Sequence, residues 1–110
     1  MEFESVKEGK TLVVKLKGRL DALSAPQCDE RFAKWIREGE NNFIIDFRDT
    51  EYISSAGLRS VLTVGKSMKT QNGRIVLCNM NKVVKNIFQM SGFSSIFAIR
   101  DTLEEAFGEP

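Results

Sequence analysis

The chain alternates between stretches with the period of a β-strand and stretches with the period of a helix. Apolar residues recur at every second position across 12–16, which predicts a strand with one buried face. A shorter strand is predicted at 3–6, and the turn residues at 8–10 would join the two as a hairpin. Further strands are predicted in three apolar runs, NNFIIDF at 41–47, RIVLCNM at 74–80 and SIFAI at 95–99, and the first two are typical of central strands buried on both faces.

Four amphipathic helices are predicted between and after these strands. Ser24 and Gln27 have the spacing of a capping box, and Gly39 would end the helix that starts there. Asp101 and Glu104 have the same spacing at the start of the last helix. The second and third helices are predicted from apolar residues at helical spacing across 58–68 and 83–88.

Strands and helices therefore alternate after the opening hairpin. This order predicts a single α/β domain over residues 1–110, with a mixed sheet of about four or five strands and about four helices packed on it. The segments GRLDALSAP at 18–26 and RDTEY at 48–52 are predicted to be loops. In α/β sheets, functional sites gather where strands end at their carboxyl side, so the loop after residue 46 is a candidate site.

Composition narrows the class of protein. The 110 residues are 42% hydrophobic and 28% charged, with a formal net charge of +1, as in an ordinary water-soluble domain. No basic stripe interleaved with aromatic residues suggests nucleic acid as a partner. The apolar runs are far shorter than the roughly 20 residues needed to cross a bilayer, and the polar N-terminus does not resemble a signal peptide. We therefore predict a cytoplasmic protein with no membrane partner.

The sequence offers little catalytic chemistry. It contains no histidine, and its two cysteines, Cys28 and Cys78, are far apart and form no CxxC motif. We predict reduced, buried thiols, no metal site and no cofactor. A Ser–His–Asp triad is impossible, and the GxSxG and GxxxxGK[ST] motifs are absent. A serine–lysine pair stays open, with Lys66 the next lysine after the candidate site, but we predict that the protein is not an enzyme.

The stretch YISSAGLR, residues 52–59, has an unusual cluster of small residues at the predicted start of a helix. Ser54 or Ser55 could cap the helix by accepting a hydrogen bond from a free backbone N–H. Gly57 is unfavourable inside a helix, so it indicates either tight packing within the domain or room for another surface to approach. A serine here could also accept a phosphoryl group, because a helix N-terminus favours an anion.

Taken together, three stretches resemble the STAS-domain anti-sigma factor antagonists of bacterial partner-switching systems. They are LVVKLKGRLDALSAP, NNFIIDFRDTEYISSAGLRSVLTVGKSM and GRIVLCNMNKVVKNIFQMSGFSSIFAI. The family signature is a strand that ends in Asp, a short loop and then a small-residue [DS]S[AST]GL segment opening a helix. DFRDTEYISSAGL matches it, and FQMSGF matches a second landmark.

The resemblance implies a regulatory binding protein for transcription. Its unphosphorylated form would bind an ATP-binding anti-sigma factor serine kinase and release the sigma factor. Phosphorylation would end that binding, and a PP2C-type phosphatase would reset the cycle. The alternative is a STAS module that is not phosphorylated and serves as a scaffold or binds a small ligand.

The resemblance also assigns roles to individual residues. Ser55 matches the phosphate acceptor, and Ser54 stands where many members have Asp. The implied partner-binding residues are Asp21, Ser54, Ser55, Ala56, Gly57 and Leu58. For Asp21 the alternative is an ordinary loop aspartate that starts a turn.

Overall fold

The computed structural model describes residues 1–108, in which a six-stranded sheet is combined with four α-helices. The strands are β1 (Glu2–Glu8), β2 (Thr11–Leu20), β3 (Asn42–Asp46), β4 (Thr50–Ile53), β5 (Arg74–Cys78) and β6 (Ala98–Arg100). The helices are α1 (Ala25–Arg37), α2 (Ser55–Thr70), α3 (Lys82–Met90) and α4 (Leu103–Phe107), with a short 3-10 turn at Phe93–Ser95. The predicted mixed α/β fold is confirmed.

The sheet runs in the order β1-β2-β3-β5-β6, and only β1 is antiparallel to its neighbour. Strand β4 pairs with the far end of β2, beyond the part of β2 that pairs with β3. The prediction of loops at 18–26 and 48–52 was therefore wrong in part, since each contains strand residues. A long-range contact accompanies this pairing, since the Thr50 hydroxyl donates to the Leu16 carbonyl oxygen at 2.8 Å.

Two apolar clusters hold the layers together. Helices α1, α2 and α3 pack on one face of the sheet over the main core, which includes Phe32, Phe43 and Phe88. Helix α4 contributes Ala106 to a smaller cluster on the opposite face, with Val13 and other strand residues. No helix within residues 1–108 is long and apolar enough to span a bilayer.

Two helix caps and the last strand also differ from the sequence prediction. Ser24 precedes α1 but makes no side-chain cap, and the cap of α4 is Thr102 rather than Asp101. Asn81, which the sequence did not single out, caps α3 by accepting from the Val84 N–H at 2.8 Å. Strand β6 is shorter than predicted, because the 3-10 turn ends at Ser95 and residues 96 and 97 form a turn and a bend before the strand begins.

Candidate functional site

The candidate site lies where β2 and β4 end beside each other. Leu20 pairs with Ile53, and the Ser54 N–H donates to the Leu20 carbonyl oxygen at 2.9 Å. The next residues, Asp21 on one chain segment and Ser55 on the other, therefore leave the same edge of the sheet. This arrangement brings the predicted partner-binding residues into one region.

The two adjacent serines have different environments. The Ser54 hydroxyl caps α2 by accepting from the Gly57 N–H at 3.3 Å, and the Ser54 carbonyl accepts from the Leu58 N–H at 2.8 Å. Ser55 is the first residue of α2 and is exposed. Within residues 1–108 the Ser55 side chain makes no hydrogen bond. The structure therefore assigns the cap to Ser54 and leaves the Ser55 hydroxyl available to other molecules.

Gly57 is buried against the protein's own chain. A Cβ atom at this position would lie 2.5 Å from the Leu20 carbonyl oxygen and 2.9 Å from Cγ1 of Ile53. Of the two explanations that the sequence left open, the structure favours packing within the domain. Leu58 also points into the core and is 8% exposed, whereas Ala56 is half-buried. Contacts of these three residues with a partner stay predictions.

Asp21 organises the loop between β2 and α1. Its Oδ1 atom accepts from the backbone N–H groups of Leu23 at 3.0 Å and Ser24 at 3.3 Å, and its Oδ2 atom lies 3.7 Å from Nε of Arg19. Desolvation opposes ionisation, but these bonds and the arginine outweigh it and lower the pKa of Asp21 below its usual value. The turn-forming role proposed as the alternative for Asp21 is therefore present, and the partner contact stays a prediction.

Ser24 makes further hydrogen bonds to the backbone of the same loop. Its hydroxyl donates to the Arg19 carbonyl oxygen at 2.7 Å and accepts from the Asp21 N–H at 2.9 Å. Because both ends of the loop are tied by these bonds, the loop presents a defined shape. At its tip Leu23 is 92% exposed, which is unusual for an apolar side chain in an ordered loop.

Sequence reasoning missed two features of this surface. Leu23 is a large apolar residue within a segment predicted to be a loop. That position could have identified it as an exposed apolar side chain. The guanidinium of Arg19 lies 4.6 Å from the centre of the Tyr52 ring, a favourable cation–π distance. No local pattern could have identified that contact, because it depends on the pairing of β2 with β4.

The two cysteine thiols are buried and are not exposed on this surface. Cys28 and Cys78 are free and buried, as predicted. Burial, with smaller contributions from Asp29 and Asp46, raises the pKa of each thiol to about 12. Both thiols are therefore protonated at neutral pH and poor nucleophiles. In the described part of the chain no group of three or more His, Cys, Asp or Glu residues could hold a metal ion.

Comparison with known proteins relates this arrangement to a family. BtrV of Bordetella bronchiseptica, whose name describes an anti-sigma factor antagonist, is 37% identical over 95 residues, which are 86% of this chain and 82% of BtrV. A Thermotoga maritima structure superposes with a TM-score of 0.92 at 21% identity, covering 96% of this chain and 92% of that one.

Two structures of the Bacillus protein SpoIIAA are also similar. Its unphosphorylated form, described as an anti-sigma factor antagonist, is 27% identical, with a TM-score of 0.82 and coverage of 96% and 93%. Its phosphorylated form is 26% identical, with a TM-score of 0.75 and coverage of 97% of each chain. The model of the STAS domain matches residues 2–106, and the chain therefore belongs to the STAS domain family.

Proposed function

We propose that this protein is an anti-sigma factor antagonist that is switched by phosphorylation of Ser55. The unphosphorylated form binds an anti-sigma factor serine kinase in the cytoplasm and thereby frees the sigma factor. Phosphorylation ends the binding, and a PP2C-type phosphatase restores it. The observation that carries the proposal is the exposed Ser55 hydroxyl, which makes no hydrogen bond within residues 1–108, beside a serine that already caps the helix.

The relatives support the class of function. BtrV carries the name of an anti-sigma factor antagonist. SpoIIAA is described as an anti-sigma factor antagonist in its unphosphorylated form, and a phosphorylated form of the same protein has a similar fold. A protein of this architecture therefore exists in both states, as the proposal requires for this chain.

The position of Ser55 explains how a phosphoryl group could change binding without unfolding the domain. A phosphoserine adds about −1.5 to −2 charges at neutral pH. At the first residue of α2 it would meet free backbone N–H groups and the positive end of the helix dipole, which stabilise an anion. The fold would tolerate the charge, while the surface shared with the Asp21 loop would become strongly negative.

The site also indicates what this chain and the kinase would each contribute to phosphorylation. The chain offers a hydroxyl as the acceptor, whereas the kinase supplies ATP and the base that takes the proton. The lysine nearest in sequence, Lys66, lies about three turns further along α2, so it is badly placed to activate Ser55. The proposed role is that of a substrate and binding partner rather than an enzyme.

Mass spectrometry of the protein purified from its native bacterium tests the proposal directly. Trypsin would release residues 49–59, DTEYISSAGLR, in which Ser55 is expected to carry the phosphate. Ser55→Ala should abolish the modification yet keep the kinase bound, and Ser55→Asp should release the kinase. Ser54→Ala is the matched control and should still be phosphorylated.

Two results would contradict the proposal. Phosphate that persists on Ser54 in the Ser55→Ala protein would mean that the acceptor is the other serine. A peptide 49–59 that is never phosphorylated, in a protein that retains no kinase during purification, would instead favour the scaffold or small-ligand module.

A further inference from the structure

A second feature of the molecule lies at the opposite end of α2 from Ser55. It is a groove of about 620 Å³ between the C-terminal half of α2, the start of β5 and residues 96–98. From Ser55 to Lys66 the helix rises roughly 16 Å, so the groove is separate from the phosphorylation site. Its volume falls within the range of about 300–1,000 Å³ typical of small-molecule sites.

The groove exists because β6 covers only part of the edge of β5. The two strands pair from Val76, opposite Ala98, onwards. Arg74 and Ile75 precede this pairing and line the groove instead. A ring edge of Phe97 closes one end, where it packs directly against Gly65 of α2.

The groove combines an apolar floor with a cationic rim. Leu62, Ile75 and Phe97 contribute to the floor. Lys66, Lys69 and Arg74 are the charged residues of the lining, which contains no acidic residue. Lys66 and Lys69 are three residues apart on α2 and therefore lie on the same helix face. Three positive charges beside an apolar surface would attract a molecule with an anionic headgroup and an apolar body.

Arg74 provides a second, independent observation. Its Nε and Nη2 atoms are buried and have no hydrogen-bond partner within the described residues. Buried donors without an acceptor are unfavourable, and more so on a charged group. The third nitrogen, Nη1, is not among these buried atoms and makes no hydrogen bond within residues 1–108. A carboxylate in the groove would form a charge-assisted hydrogen bond with Nη1 and offset the charge of the guanidinium whose other two nitrogens are buried.

We propose that the groove lined by Lys66, Lys69, Arg74, Leu62, Ile75 and Phe97 binds a small amphiphilic carboxylate, such as a medium-chain fatty acid. The headgroup lies among the three cations, and the acyl chain lies on the apolar floor. Binding at this site does not depend on phosphorylation of Ser55, so its test is independent of the function proposed above.

Titration of the ¹⁵N-labelled protein with decanoate, followed by NMR, tests the proposal. The amides of Gly65 and Gly73, which line the groove, should shift saturably, while Gly9 and Gly18 serve as distant references. Decanol provides the chain without the charge, and inorganic phosphate provides an anion without the chain. Each should bind at least roughly tenfold more weakly than decanoate, a difference of about 1.4 kcal/mol.

A charge-matched pair of variants locates the headgroup. The double variant Lys66→Gln and Lys69→Gln should weaken decanoate binding at least about fivefold. The control variant Lys34→Gln and Lys82→Gln removes the same charge from exposed helical positions outside the groove. It should change the affinity less than about twofold.

Four results would overturn the proposal. They are the absence of shifts at the groove glycines, equal affinity for decanol, equal affinity for phosphate, and an equal loss in the control variant. Equal affinity for decanol would indicate an apolar patch without headgroup recognition. Equal affinity for phosphate would indicate a simple anion site. An equal loss of affinity in the control variant would indicate a general charge effect rather than a site.

Discussion

Replacement of Gly57 by alanine should destabilise the protein, although alanine is the better helix former. The new Cβ atom would lie 2.5 Å from the Leu20 carbonyl oxygen and 2.8 Å from the Leu20 Cγ atom. The first of these is a backbone atom, and the same carbonyl accepts the Ser54 N–H at 2.9 Å. Relief of the clash must therefore move α2 away from the junction of β2 and β4.

The magnitude follows from three contributions. Overpacking of this kind costs about 1–3 kcal/mol, and a weakened Leu20–Ser54 hydrogen bond costs roughly 0.5–1.5 kcal/mol more. The exchange of glycine for alanine in a helix returns about 1 kcal/mol. The net loss in the free energy of unfolding should be about 0.5–3.5 kcal/mol, which lowers Tm by roughly 2–14 °C in a domain of this size.

Gly65→Ala is the matched control for this prediction, because it changes the same helix in the same way. There the new Cβ atom would lie 2.7 Å from Cε1 of Phe97, a side-chain atom beside the groove rather than a backbone atom. Urea and thermal unfolding of the two variants should rank Gly57→Ala as clearly less stable than Gly65→Ala. A Gly57→Ala protein as stable as the parent would refute the argument from packing.

The two serines and the two cysteines allow further predictions. Ser54→Ala removes the cap of α2 and should lower the free energy of unfolding, measured by urea titration, by about 1 kcal/mol. Ser55→Ala should stay within about 0.5 kcal/mol of the parent in the same measurement. The reverse order would show that the cap is misassigned. Cys28 and Cys78 should react with a thiol reagent at neutral pH only as fast as the protein unfolds, because burial keeps both protonated. A rapid reaction of the native protein, measured by absorbance, would contradict their burial.

Local pattern was sufficient for the main features of the fold. The period of two at 12–16, the apolar runs that became β3 and β5, and the helical stripe of α2 each reflect which side chains must leave water. The segment with two serines before a glycine likewise located the helix start, because capping chemistry acts over three or four residues. The acceptor role of Ser55 came from the family resemblance and stays a prediction.

Features that depend on distant contacts came only from the tertiary structure. Strand β4 was predicted as a loop, since a four-residue strand becomes stable only when it meets the extended end of β2. The same junction decided that Gly57 serves packing within the domain, because the atoms that fill its space belong to Leu20 and Ile53. A sequence shows that a glycine is present, but only the fold shows which surface lies against it.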